Sequence, residues 1–191
     1  MSVLNKLKNL ANKTAKASQL SGGIHEGVKL VEFKEEIDSY GDYNRYLMFK
    51  FKKFNEKGET VGEFTHSFME IDSSSEYVDM KVENLLVQTQ SLVEALIGEA
   101  WLDKYDPLKG IVNSEQEAKK NALAPKLERR STVKALEKNV ISQVAEIVTE
   151  FLASDDAETT FRLKLVYNDK GYINIPNYKF IERETHLQIS G

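Results

Sequence analysis

Tyr46, Met48, Lys50, Lys52 and Phe54 occupy alternate positions of the stretch Arg45–Phe54, with Leu47, Phe49 and Phe51 between them. A β-strand sends successive side chains to opposite faces. This spacing therefore predicts one apolar face for a core and one face that mixes ammonium groups with rings. A merely solvated face needs charge and has no use for rings. A face that follows a polyanionic backbone and stacks bases uses both. Arg162 and Lys164 alternate in the same way with Phe161, Leu163 and Leu165, and Tyr172 and Tyr178 follow them. Tyr40 and Tyr43 fall at a predicted turn before the first of these strands, and Lys170 at a turn after the second. Together these residues predict a groove for nucleic acid. Each one alone is equally at home on an ordinary strand, so the prediction rests on the set.

Catalytic chemistry finds little support. No glycine-rich phosphate loop follows a strand, and neither a Gly-x-Ser-x-Gly elbow nor a His-Glu-x-x-His pair is present. His25, His66 and His186 are scattered, without the spacing of metal ligands. With no cysteine, disulfides and thiolate sites are excluded. The expectation is a non-enzymatic protein without cofactor, metal or small-molecule substrate.

The net charge of -4 argues against a simple duplex-DNA binder, which usually carries a basic excess. It leaves room for a local positive groove. Charge is uneven along the chain. Lys6, Lys8, Lys13 and Lys16 make the first twenty residues purely basic, and a second cluster, Lys119, Lys120, Lys126, Arg129 and Arg130, is diluted by Glu115, Glu117 and Glu128. No apolar run is long enough to span a bilayer, and no signal peptide is visible, so a cytoplasmic location is expected.

The elements that must position the groove follow from periodicity. Residues 1–22 read as a basic arm or short amphipathic helix, with Leu4, Leu7 and Leu10 at helical spacing. A single domain is expected over 23–191. Its first strand carries Val28, Leu30 and Ile37, and Ser39–Asp42 is a predicted turn. The second strand covers about 44–54, Asn55–Gly58 closes a hairpin, and the third covers about 60–71, with Phe64, His66 and Phe68 on one face.

A helical insertion is expected over about 79–154. Ser73–Ser75 and Asp79 offer its cap, Val82 to Ile97 recur at three and four, and Gly98 stops the first helix. Trp101, Leu102 and Tyr105 should pack against it. A charged connection over 111–130, weakly ordered or helical and containing Pro125, leads to a helix capped by Ser131 or Thr132. Two strands finish the chain, one over Phe161–Tyr167 and one over Tyr172–Ile181. The turns Asn55-Glu56-Lys57-Gly58 and Asn168-Asp169-Lys170-Gly171 share one pattern and predict two hairpins built alike.

Three strands, helices, then two strands is the element order of an α+β, five-stranded antiparallel OB-like barrel with a long helical insertion between strands 3 and 4. An antiparallel sheet under a helical layer would give the same order. Gly23-Ile24-His25-Glu26-Gly27-Val28-Lys29-Leu30, the run Phe161 to Tyr172, Pro176 and Tyr178 resemble the OB-fold single-stranded DNA-binding proteins of tailed, particularly crAss-like, bacteriophages. The resemblance covers both ends of the barrel and leaves the helical middle unmatched. It implies sequence-nonspecific binding and protection of single-stranded DNA in phage replication or recombination, with no metal. The chain departs from many such proteins in ending Thr185–Gly191 without an acidic tail. Self-association into a homo-oligomer is open, and so is a second role, a phage structural or assembly protein using the barrel and helices for protein contacts.

Overall fold

The computed structural model describes residues 18–40, 43–111 and 125–185, with side chains for 18–35, 47–111 and 131–185. The predicted arm helix and residues 112–124 lie outside the described residues. The strands are β1 (Gly23–Tyr40), β2 (Tyr43–Phe54), β3 (Thr60–Met69), β4 (Phe161–Tyr167), β5 (Ile173–Asn174) and β6 (Ile181–Arg183). The helices are α1 (Val78–Ile97), the single turn α2 (Trp101–Lys104) and α3 (Pro125–Ala153). All strand neighbours are antiparallel, in the order β3-β2-β1-β4-β5, with β6 also beside β4. The sheet curls into a nearly closed, barrel-like wall, and the helices form the α half of an α+β fold.

The curl begins in β1, which runs on from the predicted strand into the predicted turn, as far as Tyr40. Its first part pairs with β4 (Ile24 opposite Lys164, Val28 opposite Phe161) and its second part with β2 (Val28 opposite Lys53, Phe33 opposite Phe49). The change of partner coincides with a bulge between His25 and Val28, and Gly27 there has φ of 68°. A residue with a Cβ is strained in that left-handed region, so glycine marks the bend. Its N–H donates to Glu184 Oε1 at 3.0 Å, tying the bend to the residue just after β6.

The inward positions are those the alternation predicted. Leu47, Phe49 and Phe51 of β2 join Leu30, Phe64, Phe68, Phe161, Leu163 and Leu165 in one buried cluster, against Leu92, Val93 and Leu96 of α1 and Val140, Val144 and Val148 of α3. Fully burying such a side chain is worth about 1.5–3 kcal/mol, which makes this cluster the main source of cohesion.

Four details depart from expectation. Ser39 and Tyr40 belong to β1 and pair with Asn44 and Tyr43, so the strands run to the very tip of the hairpin. The serines before α1 do not cap it. Asp72 Oδ1 accepts from the Ser74 N–H and hydroxyl, Ser75 Oγ accepts from the Tyr77 N–H, and the cap position is Tyr77. Leu102 is exposed, whereas Tyr105 is buried with its hydroxyl 2.6 Å from Thr89 Oγ1. Finally, α3 starts at Pro125, whose fixed φ and missing N–H suit a first helical turn, and not at Ser131 or Thr132.

The fifth strand is also split. Asn174 lies opposite Val166 and Ile181 opposite Leu163, so the chain between them arches away from β4 around Pro176. At the other end, Ser18–Leu20 belong to the domain and not to a free arm. Leu20 N donates to Glu63 O at 2.9 Å, Glu63 N donates to Ser18 O at 3.0 Å, and the Leu20 side chain is buried.

Candidate nucleic-acid interface

The face of the sheet turned away from the helices collects most of the predicted residues. Lys50, Lys52 and Phe54 alternate with the buried Phe49 and Phe51 on β2, and Arg162 and Lys164 alternate with the buried Phe161, Leu163 and Leu165 on β4. The strand between them, β1, adds Lys29 opposite Lys52 and Ile24 opposite Lys164. None of these side chains lies in the buried core.

Two ammonium–ring pairs stand on this face. Lys29 Nζ lies 5.6 Å from the centre of the Phe54 ring, and Lys164 Nζ lies 4.7 Å from the centre of the Tyr178 ring. Both fall within the distance at which a cation is attracted by the ring's negative face. From strand spacing and rise the two pairs are roughly 20 Å apart along the wall. Tyr178 sits in the arch between β5 and β6, so the break in the fifth strand is what carries its ring over to Lys164. Tyr178 keeps 48% of its surface exposed, which leaves ring area for a further contact.

Carboxylates temper the positive charge. Lys29 pairs with Glu158, Lys34 with Glu32, Lys50 with Glu63 at 3.5 Å and Arg162 with Glu26 at 2.9 Å. Among the described residues, Lys52 and Lys164 have no carboxylate at ion-pair distance. On this face they are the two cations of the predicted set with charge left to offer; Lys170, also without a carboxylate partner among the described residues, lies off it on the β4–β5 turn.

The remaining predicted residues stand apart. Lys170 and the exposed Tyr172 lie on the β4–β5 turn, with Asn168 Oδ1 accepting from both backbone N–H groups. Tyr40 and Tyr43 face each other across the hairpin tip as strand residues, and not in a loop. Tyr46 occupies β2 at an interruption of register with both neighbours, since Arg45 and Leu47 pair with Met69 and Phe68 and with Asp38 and Glu35. The side chains of these three tyrosines lie outside the described residues.

Sequence reasoning missed Lys29 and Ile24. Alternation around Val28 and Leu30 places Lys29 outward, but only the register with β2 sets it beside Lys52 and Phe54. His66 is excluded from the interface. It faces the core between Phe64 and Phe68, with ring centroids 6.3 and 4.8 Å away. Among the described residues no cluster of His, Cys, Asp or Glu forms a metal site, and no helix is long and apolar enough to cross a membrane. No family model matches the chain, and neither a curated protein nor a solved structure matches it.

Proposed function

We propose that this protein binds single-stranded DNA without sequence preference along the outward face of its curved sheet, as a binding protein rather than an enzyme. The observation that carries the proposal is the presence of two ammonium–ring pairs, Lys29–Phe54 and Lys164–Tyr178, on the face of the sheet turned away from the helices. Rings supply stacking that any base satisfies, at about 1–3 kcal/mol per base, and cations supply the backbone attraction. The strand order and the sharing of β1 between β2 and β4 support an OB-type barrel, with α1 to α3 as the insertion between its third and fourth strands. The phage-type role suggested by the sequence, protecting single strands in replication or recombination in the host cytoplasm, fits this reading.

A second reading draws on the ion pairs. Lys29, Lys50 and Arg162 are each met by a glutamate, which suits a protein-contact surface of a structural or assembly protein as well as a nucleic-acid face. Fluorescence anisotropy with a labelled single-stranded oligonucleotide, with unlabelled duplex as competitor, separates the two. The proposal expects saturable binding that duplex displaces poorly and that tolerates changes of base sequence. Absence of binding at low salt, together with a stable oligomer by light scattering, favours the protein-contact role.

A further inference from the structure

Two buried polar residues of α1 meet the arch that carries Tyr178. Gln88, only 8% exposed, donates from Nε2 to the Pro176 carbonyl at 3.0 Å and reaches Asn177 Oδ1 at 3.4 Å. Ser91, one turn on, accepts from the Phe180 N–H at 3.2 Å through its hydroxyl. Phe180 in turn accepts from the Lys164 N–H at 2.7 Å. The arch is therefore held at both ends, on one side by α1 and on the other by β4. An amide buried on a helix face loses its hydration and stabilises less by packing than leucine would. What it gives in return is a fixed path for the chain it bonds.

We infer that Gln88 is a positioning residue for the Tyr178–Lys164 platform, so that the helical insertion sets the geometry of the strand-binding face from beneath. The inference rests on the proposed function for its consequence, but the position of the ring is measurable by itself. Pro176 has no N–H and cannot rejoin the β4 ladder as a donor, so the arch has no alternative anchor in the sheet at that residue. With Gln88 gone, the buried Ile175, the Phe180 hydrogen bonds and the Lys179–Glu94 pair still hold the ends of the arch. Pro176 and Asn177, the two residues just before Tyr178, lose their hydrogen bonds to α1, and the Tyr178 ring loses its place over Lys164.

The test uses the full chain with Gln88→Leu, Tyr178→Ala and both together. In the wild type, the ε-methylene protons of Lys164 should show an upfield ring-current shift by NMR. Gln88→Leu should abolish that shift while leaving the helical circular dichroism unchanged. For a labelled oligonucleotide, Tyr178→Ala should weaken binding about ten-fold and Gln88→Leu about five-fold. The double variant should be no weaker than Tyr178→Ala alone to within about two-fold, because both changes remove one interaction. Should Gln88→Leu fail to fold, Ser91→Ala removes the other anchor with a smaller change and should give the same pair of results. A ring-current shift that survives Gln88→Leu or Ser91→Ala overturns the inference, as do losses that multiply in the double variant. A wild type that binds no oligonucleotide while the shift still depends on Gln88 overturns the strand-binding reading and upholds the positioning of the ring.

Discussion

His66 shows how one half-buried side chain with a buried ring nitrogen turns acid into a lever on the fold. Its Nε2 has no hydrogen-bond partner and is sealed from solvent between Phe64 and Phe68. Burial pushes its pKa down from 6.5 to about 4, since the charged ring would lose its hydration there. Above pH 6.5 both folded and unfolded chains hold it neutral, and its contribution is flat. Between 6.5 and 4 the unfolded chain takes up a proton that the folded chain refuses, so stability falls as pH falls, by on the order of 3 kcal/mol in all. Urea midpoints at pH 7 and pH 4.5 should therefore converge in His66→Leu relative to wild type. An equal acid-induced loss in both proteins would assign the effect to other groups. Glu137 on α3 carries the opposite tendency. Burial raises its pKa, opposed by the Ile71 N–H that donates to Oε1 and by Lys134 beside it.

At the scale of elements, the paired turns are where the sequence spoke most plainly. In each, the asparagine backbone N–H donates to the residue four places on, and its carbonyl accepts from the glycine N–H. The side-chain oxygen accepts from two further N–H groups, those of Lys57 and Glu59 in one turn and Lys170 and Tyr172 in the other. Gly58 and Gly171 have φ of 76° and 78°, the left-handed values this turn demands. Asn55→Ala and Asn168→Ala should each cost about 1 kcal/mol, and their losses should add, because the turns share no partners. Chemical denaturation of the two single variants and the double variant checks both statements, and a strongly non-additive double variant would contradict them.

The period-two pattern of β2 and β4 was legible for the same local reason, since a strand with one buried face must alternate. The full length of β1, the break in the fifth strand at Pro176 and the pairing of Ser18–Leu20 with β3 were not. Each depends on a partner distant in sequence, and local propensity carries no record of it. Pro125 did not mark the start of α3 in the sequence, because a proline is equally a breaker inside a helix and a favoured first residue of one. Gln88 and Ser91 escaped notice because polar residues within an apolar stripe look like its edge until the arch opposite them is seen.

For the whole molecule the question is how a chain of net charge -4 would hold the polyanion proposed for it. Its outward face answers with geometry more than with charge. Glutamates neutralise Lys29, Lys50 and Arg162, which leaves Lys52 and Lys164 as the effective cations between and beside the rings. Few phosphates are then neutralised, so the affinity should come mainly from stacking and fall only gently with salt. The proposed face was legible in the sequence as alternating rings and lysines on β2 and β4. Which lysines are spent on glutamates belongs to the register between strands, and no single strand contains that information.

The most direct measurement is the salt dependence of oligonucleotide binding in the wild type and in Lys52→Gln/Lys164→Gln. With each single-strand phosphate contact worth a slope of about -0.7 in log K against log salt, the variant should lose about 1.4 units of slope. An unchanged slope in a variant that still binds, or a wild type that does not bind at low salt, would contradict the account.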